Sequence, residues 1–366
     1  MIPYRSALDS LHDYVPGKSI DEIRERHGLA EVIKLASNEN PLGPSPKAIE
    51  ALAQSAQNLH LYPRGECPQL RTALSHYLGI PESRLVLGNG SDEILAFIAM
   101  AFLEKGSKAL SCQPTFSVYE SVTLAMGAVF DALPLRDWLF DLDALLKAIT
   151  PEVRVIFICN PNNPTGTWID RAKMGQFLQK VPADVLVVVD QAYCEYAEDA
   201  EYPDLRGELS RFPNLLLIRT FSKIWGLAGM RIGYAMGQEE LIEKLWKVKP
   251  PFNVNLPAQA CAVAALADSR HYQESLRVNR EGMIQLKEGL KSLDLLVLPS
   301  QANFLAVRVG PQCPELVAWL ESHGMIVRSL RSFGLPDWLR VTVGLVDQNR
   351  RFLQLVNEAK IQRVFQ

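Results

Sequence analysis

Two short stretches constrain the fold most: Val153-Arg154-Val155-Ile156-Phe157-Ile158 and Val185-Leu186-Val187-Val188-Val189. Both are dominated by β-branched residues and lack the strict alternation of a half-exposed strand. Strands of this kind are buried on both faces, which calls for a mainly parallel sheet with helices on either side. Further apolar pieces at 84–88, 108–111, 128–133, 215–218 and 231–236 bring the set to about seven strands. Helix-length segments separate them, such as 91–104, for which Ser91 is the expected cap. The class is α/β, doubly wound. After Pro250-Pro251 the pattern changes to helices at 259–267 and 272–293 and to extended pieces at 303–309 and 339–343, which flank a helix near 314–323. This reads as a smaller α+β domain. The expected division is an N-terminal arm over 1–34, a large domain over 35–253 and a small domain over 254–366.

Composition excludes more than it identifies. Against 38 Lys plus Arg stand 41 Asp plus Glu, a net charge of −3 with no basic block, which argues against a nucleic-acid partner. The longest apolar run, Ile94 to Leu103, is about half of what a membrane span needs. Met1 to Arg5 soon meets Asp9, His12 and Asp13, so no signal peptide is expected. The six cysteines are scattered without Cys-x-x-Cys or zinc spacing. They read as reduced thiols in a cytoplasmic protein, with no metal site.

In open parallel sheets, ligands sit beyond the carboxyl ends of the strands. Four polar segments fall there. Asn160-Pro161-Asn162-Asn163-Pro164-Thr165-Gly166 is either a rigid strand-to-helix connection or a set of amides facing a ligand. Asp190 closes a buried strand just before Tyr193, and a carboxylate there caps a helix or pairs with a cationic ligand. Thr220-Phe221-Ser222-Lys223 places one lysine in an apolar, glycine-rich loop, with Arg231 eight residues on. Apolar surroundings and a second cation lower a lysine pKa, which suits Schiff-base chemistry; hydroxyls with an arginine suit a phosphate. Gly88-Asn89-Gly90-Ser91-Asp92 opens a helix, where backbone N–H groups bind anions, but it lacks the spacing of a dinucleotide or nucleoside-triphosphate loop. Taken together, these pieces match the needs of pyridoxal phosphate: an amine for the aldehyde, an acid for the ring nitrogen, a tyrosine and an asparagine for the phenolic oxygen, and an anion nest for the phosphate.

The chain resembles the fold-type-I pyridoxal-phosphate aminotransferases, and among them the histidinol-phosphate branch. The likeness runs from Leu35-Ala36-Ser37-Asn38-Glu39-Asn40-Pro41 through Leu59-His60-Leu61-Tyr62-Pro63 and the Asn-Pro-Asn-Asn-Pro-Thr-Gly and Thr-Phe-Ser-Lys segments to Leu339-Arg340-Val341-Thr342-Val343-Gly344. The resemblance implies that Lys223 is the covalent anchor and proton shuttle, that Asp190 contacts the pyridinium nitrogen, and that Asn163 and Tyr193 contact the phenolic oxygen. It implies a phosphate cup of Gly90 and Ser91 (by their backbone), Asp92, Ser222 and Arg231, with Thr220 near and Phe116 over the ring. It implies that Tyr62 reaches the cofactor phosphate of a neighbouring subunit, hence a homodimer with shared sites. Arg340 and Arg328 would clamp the anionic ends of the substrate, with Tyr14 and Asn38 nearby; Arg331 is expected to be solvated. The implied reaction converts L-histidinol phosphate and 2-oxoglutarate to imidazole acetol phosphate and L-glutamate, in histidine biosynthesis. An aromatic amino-acid aminotransferase and a threonine-phosphate decarboxylase are the alternatives.

Overall fold

The computed structural model describes residues 2, 4–11 and 17–365. Seven strands form the central sheet: β1 (Leu85–Gly88), β2 (Lys108–Gln113), β3 (Val129–Pro134), β4 (Val153–Cys159), β5 (Leu186–Asp190), β6 (Leu215–Thr220) and β7 (Gly233–Gly237). Their spatial order is β1-β7-β6-β5-β4-β2-β3, with β7 alone antiparallel to its neighbours. All of β5 and β6 is buried, as their unbroken apolar runs require.

Registration aligns the strand ends that matter. Cys159 at the end of β4 lies opposite Asp190 at the end of β5, and Thr220 at the end of β6 lies opposite Gly233. Helix α1 (Ser91–Phe102) follows β1, and α2 (Val118–Ala125) follows β2. The expected Ser91 cap is not formed: Gly90, at φ 83°, holds the N-cap position. The loop is tied from inside the helix, where the Glu93 carboxylate accepts from the Asn89 N–H at 2.6 Å. No side chain caps the helix N–H groups, and the first-turn carboxylate ties down the preceding loop instead.

A second core gathers Leu35, Met283, Leu286, Leu290, Leu316 and Phe352 around an antiparallel sheet that includes Phe304–Arg308, Arg328–Ser329 and Trp338–Thr342. The two cores interleave across the expected boundaries. Leu35 belongs to the smaller one, because Ile33–Lys34 pairs in parallel with Met325–Ile326. The alanine-rich helix Leu256–Leu266 packs in the larger one. Helix Ser269–Ser292 spans both, with Tyr272 and Leu276 against the large core and Met283 and Leu286 in the small one. No helix among the described residues is long and apolar enough to cross a membrane.

Candidate active site

A cavity of about 240 Å³ opens at the carboxyl ends of the parallel strands. Lys223, Asp190, Tyr193, Asn163, Arg328 and Arg340 all line it. Three strand ends of the large sheet and two strands of the smaller one supply these residues.

Asp190 is 3% exposed. One carboxylate oxygen accepts from the Ala192 N–H at 3.0 Å and the other from the Tyr119 hydroxyl at 2.9 Å. Burial pushes its carboxyl up to about 6, against the pull of these two hydrogen bonds. The Lys223 amine donates to the Ser37 carbonyl at 3.1 Å. Burial first, then the nearby Arg340 cation, hold that amine down at about 8. Such an amine is part free base near neutral pH, as a nucleophile must be.

Tyr193 is buried, and its hydroxyl accepts from the Asn38 amide at 2.9 Å. Asn38 lines the cavity in a left-handed conformation (φ 57°), with its amide engaged by Tyr193 and Thr342. Its amide nitrogen thereby holds the Tyr193 hydroxyl beside the cavity. Of the asparagines in the Asn-Pro-Asn-Asn-Pro segment, two are structural. Asn160 accepts from the Ile169 N–H at 2.9 Å, and Asn162 bridges Thr115, Pro114 and Thr165. Asn163 faces the cavity, where its carbonyl accepts from Arg340. The segment is both a rigid connection and a binding wall. Its bonds at Asn160–Pro161 and Asn163–Pro164 are cis.

The anion cup forms at the N-terminus of α1. The Thr220 and Ser222 hydroxyls are 2.9 Å apart, and Arg231 reaches Ser222 Oγ at 3.5 Å and the Asp92 carboxylate at 3.1 Å. One expected donor is absent: the Gly90 N–H turns back onto the Gly88 carbonyl at 2.9 Å. Gly90 gives room instead, because a Cβ there would collide with the Arg231 guanidinium. Phe116 lines the cavity. The residues present fit pyridoxal phosphate: the cup takes a phosphate, Asp190 is set for a cationic ring nitrogen, and Lys223 is set for an aldehyde.

Arg340 lies opposite Arg328 across an antiparallel pair. Like charges facing one another on neighbouring strands are destabilising. Here the Ala36 carbonyl accepts from Arg340 at 2.7 Å, and the Ser332 hydroxyl accepts from Arg328 at 3.4 Å. The pair makes one wall strongly cationic. Arg331 is exposed and lines an adjoining groove rather than this cavity. Tyr62 lies away from the cavity, 83% exposed and stacked on Phe252 at 4.8 Å. Tyr14 lies outside the described residues.

Three groups are not visible in the sequence. The Ser37 and Ala36 carbonyls act through the backbone, which leaves no residue signature. Tyr119 reads like any apolar-helix aromatic; its one signal is a position one helical turn past Phe116.

The sequence profile of the family described as aminotransferase class I and II matches residues 30–355. The chain is 44% identical over 97% of its length to histidinol-phosphate aminotransferase of Moorella thermoacetica, covering 92% of that protein. It is 45% identical over 94% of its length to the Brevibacillus brevis protein of the same name, covering 95% of it. Among solved structures, histidinol-phosphate aminotransferase from Sinorhizobium meliloti in complex with pyridoxal-5'-phosphate superposes with a TM-score of 0.90 at 27% identity, covering 98% of both chains. A cavity with one buried acid, one recessed amine and an anion cup, within this frame, leads to one assignment: the chain belongs to the class I and II aminotransferase family.

Proposed function

We propose that this chain is a pyridoxal-phosphate-dependent transaminase that interconverts L-histidinol phosphate plus 2-oxoglutarate with imidazole acetol phosphate plus L-glutamate, in histidine biosynthesis. The observation that carries the reading is the facing pair Arg328 and Arg340 in the same cavity as Lys223, in a chain that resembles enzymes of this name nearly end to end. One substrate brings a phosphate and no α-carboxylate; the other brings two carboxylates. A single cationic wall accepts both in turn, as a ping-pong reaction requires.

Pyridoxal phosphate, when bound, supplies an aldehyde that takes up the amino group and a ring that withdraws electrons from the substrate α-carbon. Everything else falls to the chain. Lys223 anchors the aldehyde and, once displaced by substrate, carries the proton between the substrate α-carbon and the cofactor carbon that bears the nitrogen. Its depressed pKa lets one amine both accept and release that proton. Asp190 keeps the ring nitrogen protonated. Asn163 and Tyr193 hold the phenolic oxygen, and Ser91, Asp92, Thr220, Ser222 and Arg231 hold the phosphate, with Phe116 over the ring. Arg340 and Arg328 orient the substrate anions, and Tyr14 and Asn38 complete that side. The enzyme works as a homodimer in which Tyr62 reaches the partner's phosphate cup; its outward position beside Phe252 supports this. All six cysteines are free thiols, in keeping with a reducing cytoplasm.

The test is turnover of the purified enzyme with 2-oxoglutarate on histidinol phosphate and phenylalanine, alongside decarboxylation of threonine phosphate. Histidinol phosphate should be the best substrate by at least an order of magnitude in kcat/KM. Negligible turnover of it, with good turnover of either other compound, overturns the substrate assignment.

A further inference from the structure

Asp190 is held by two donors, and only one of them is a side chain. We propose that Tyr119 is a positioning residue for the cofactor: its hydroxyl, delivered from α2, keeps the Asp190 carboxylate ionised and aimed at the ring nitrogen. The inference rests on the pyridoxal-phosphate reading and adds to it a residue outside the cavity lining.

Tyr119 is fully buried. Its ring stacks on Phe157 of β4 at 5.0 Å, with an interplanar angle of 2°, and meets Phe116 edge-on at 5.7 Å. Two lining residues of the cavity, Phe116 and Asp190, are thus joined through one side chain. With the ring seated by those two contacts, the hydroxyl reaches Asp190 at 2.9 Å. A hydrogen bond to the charged form of a buried acid favours that form. Without it, the carboxylate would keep only the Ala192 N–H. The other groups that act on Asp190 are the Cys159 thiol on β4, Tyr193 on its own loop, and the charges of Asp92 and Lys223. Burial keeps the Tyr119, Cys159 and Tyr193 protons on, each pKa standing above its ordinary value. Tyr119 is therefore a donor throughout the working pH range. Asp92 opposes ionisation of Asp190 and Lys223 supports it; neither touches the carboxylate.

The experiment is equilibrium binding of pyridoxal phosphate to the cofactor-free full chain, measured from pH 5 to 9. Tyr119→Phe preserves both ring contacts and removes only the hydroxyl. Affinity falls as Asp190 takes up its proton, and in Tyr119→Phe this fall should begin at least about one pH unit higher, a roughly tenfold loss at the midpoint. Installing 3-fluorotyrosine at position 119 makes the phenol a stronger donor and should move the midpoint the opposite way. The same Tyr119→Phe change in an Asp190→Asn background should have little further effect, because the hydroxyl acts through the carboxylate. Superimposable pH profiles for the wild type, Tyr119→Phe and the fluorinated protein overturn the proposal. So does an equal loss in both backgrounds, which would mean that Tyr119 only packs. If the wild type binds no pyridoxal phosphate, the cofactor reading itself fails, a distinct result.

Discussion

Replacing Asp190 with asparagine should remove one defined component from the pH dependence of the cofactor-free protein's stability. The Asp190 carboxyl stands at about 6 in the fold, against 3.8 for an ordinary aspartate, because burial disfavours its charge. Two pH units correspond to about 3 kcal/mol. A group whose pKa is raised on folding lends stability below its unfolded pKa and loses it as pH rises through the folded one. The wild-type apoprotein should therefore gain about 2.4 kcal/mol from this site between pH 8 and pH 4, most of the full amount. The asparagine amide carries no charge and gains nothing. It does meet a different penalty: Tyr119 and Ala192 both donate to the carboxylate, and an amide can accept from only one of them without opposing donors. That penalty, about 1–3 kcal/mol, is the same at every pH. The decisive quantity is thus the difference in pH dependence between the two apoproteins, read as thermal midpoints at pH 8 and pH 4. For a chain of this length, about 2.4 kcal/mol corresponds to about 3 °C. Parallel curves for wild type and Asp190→Asn would refute the reasoning. The variant should also bind pyridoxal phosphate at least about a hundredfold more weakly, since removing one partner of a buried ion pair removes several kcal/mol.

Lys223→Ala should abolish transamination while circular dichroism stays native, and borohydride should no longer fix the cofactor to the peptide containing residue 223; ordinary turnover would remove the lysine from the chemistry. Arg340→Lys should lower kcat/KM for glutamate by about ten- to a hundredfold, because a point charge cannot replace the planar fork that reaches both Asn163 and the Ala36 carbonyl; an unchanged value would show that the fork is not used. In mixed dimers of Tyr62→Phe with Lys223→Ala chains, the Lys223-bearing site completed by the other chain's Tyr62 should work normally; activity that instead followed Tyr62 on the same chain as Lys223 would exclude shared sites.

Much of the scaffold is legible in the sequence because it rests on local pattern. The runs at 153–158 and 185–189 could be buried only in a parallel sheet, and the loops at their ends could only converge. Lys223, Asp190 and Arg231 follow from chemistry, since each is a charged group in apolar company. What escapes are contacts between residues far apart in sequence. Tyr119 meets Asp190 across 71 positions, and Asn38 meets Tyr193 across 155. The Ser91 cap fails because the chain enters the helix one residue earlier than expected: Gly90, at φ 83°, takes the N-cap position and Ser91 is already helical. The Gly90 amide departs from expectation for a related reason: a glycine signals permissive geometry, not the direction in which its N–H points.

The segment from Ile33 to Asn40 has a mechanical consequence. Its first residues are sewn to the smaller body through Met325–Ile326, and its last is pinned to the larger one, where Asn40 Nδ2 donates to the Ile224 carbonyl. Between those two attachments lie the carbonyls that receive Arg340 and Lys223, and the amide that holds Tyr193. With helix Ser269–Ser292, this short strap is one of the connections that join the two bodies. The group that grips the substrate's charged end and the amine that carries its proton thus rest on adjacent peptide units, Ala36 and Ser37, so neither anchor can be displaced without straining the other.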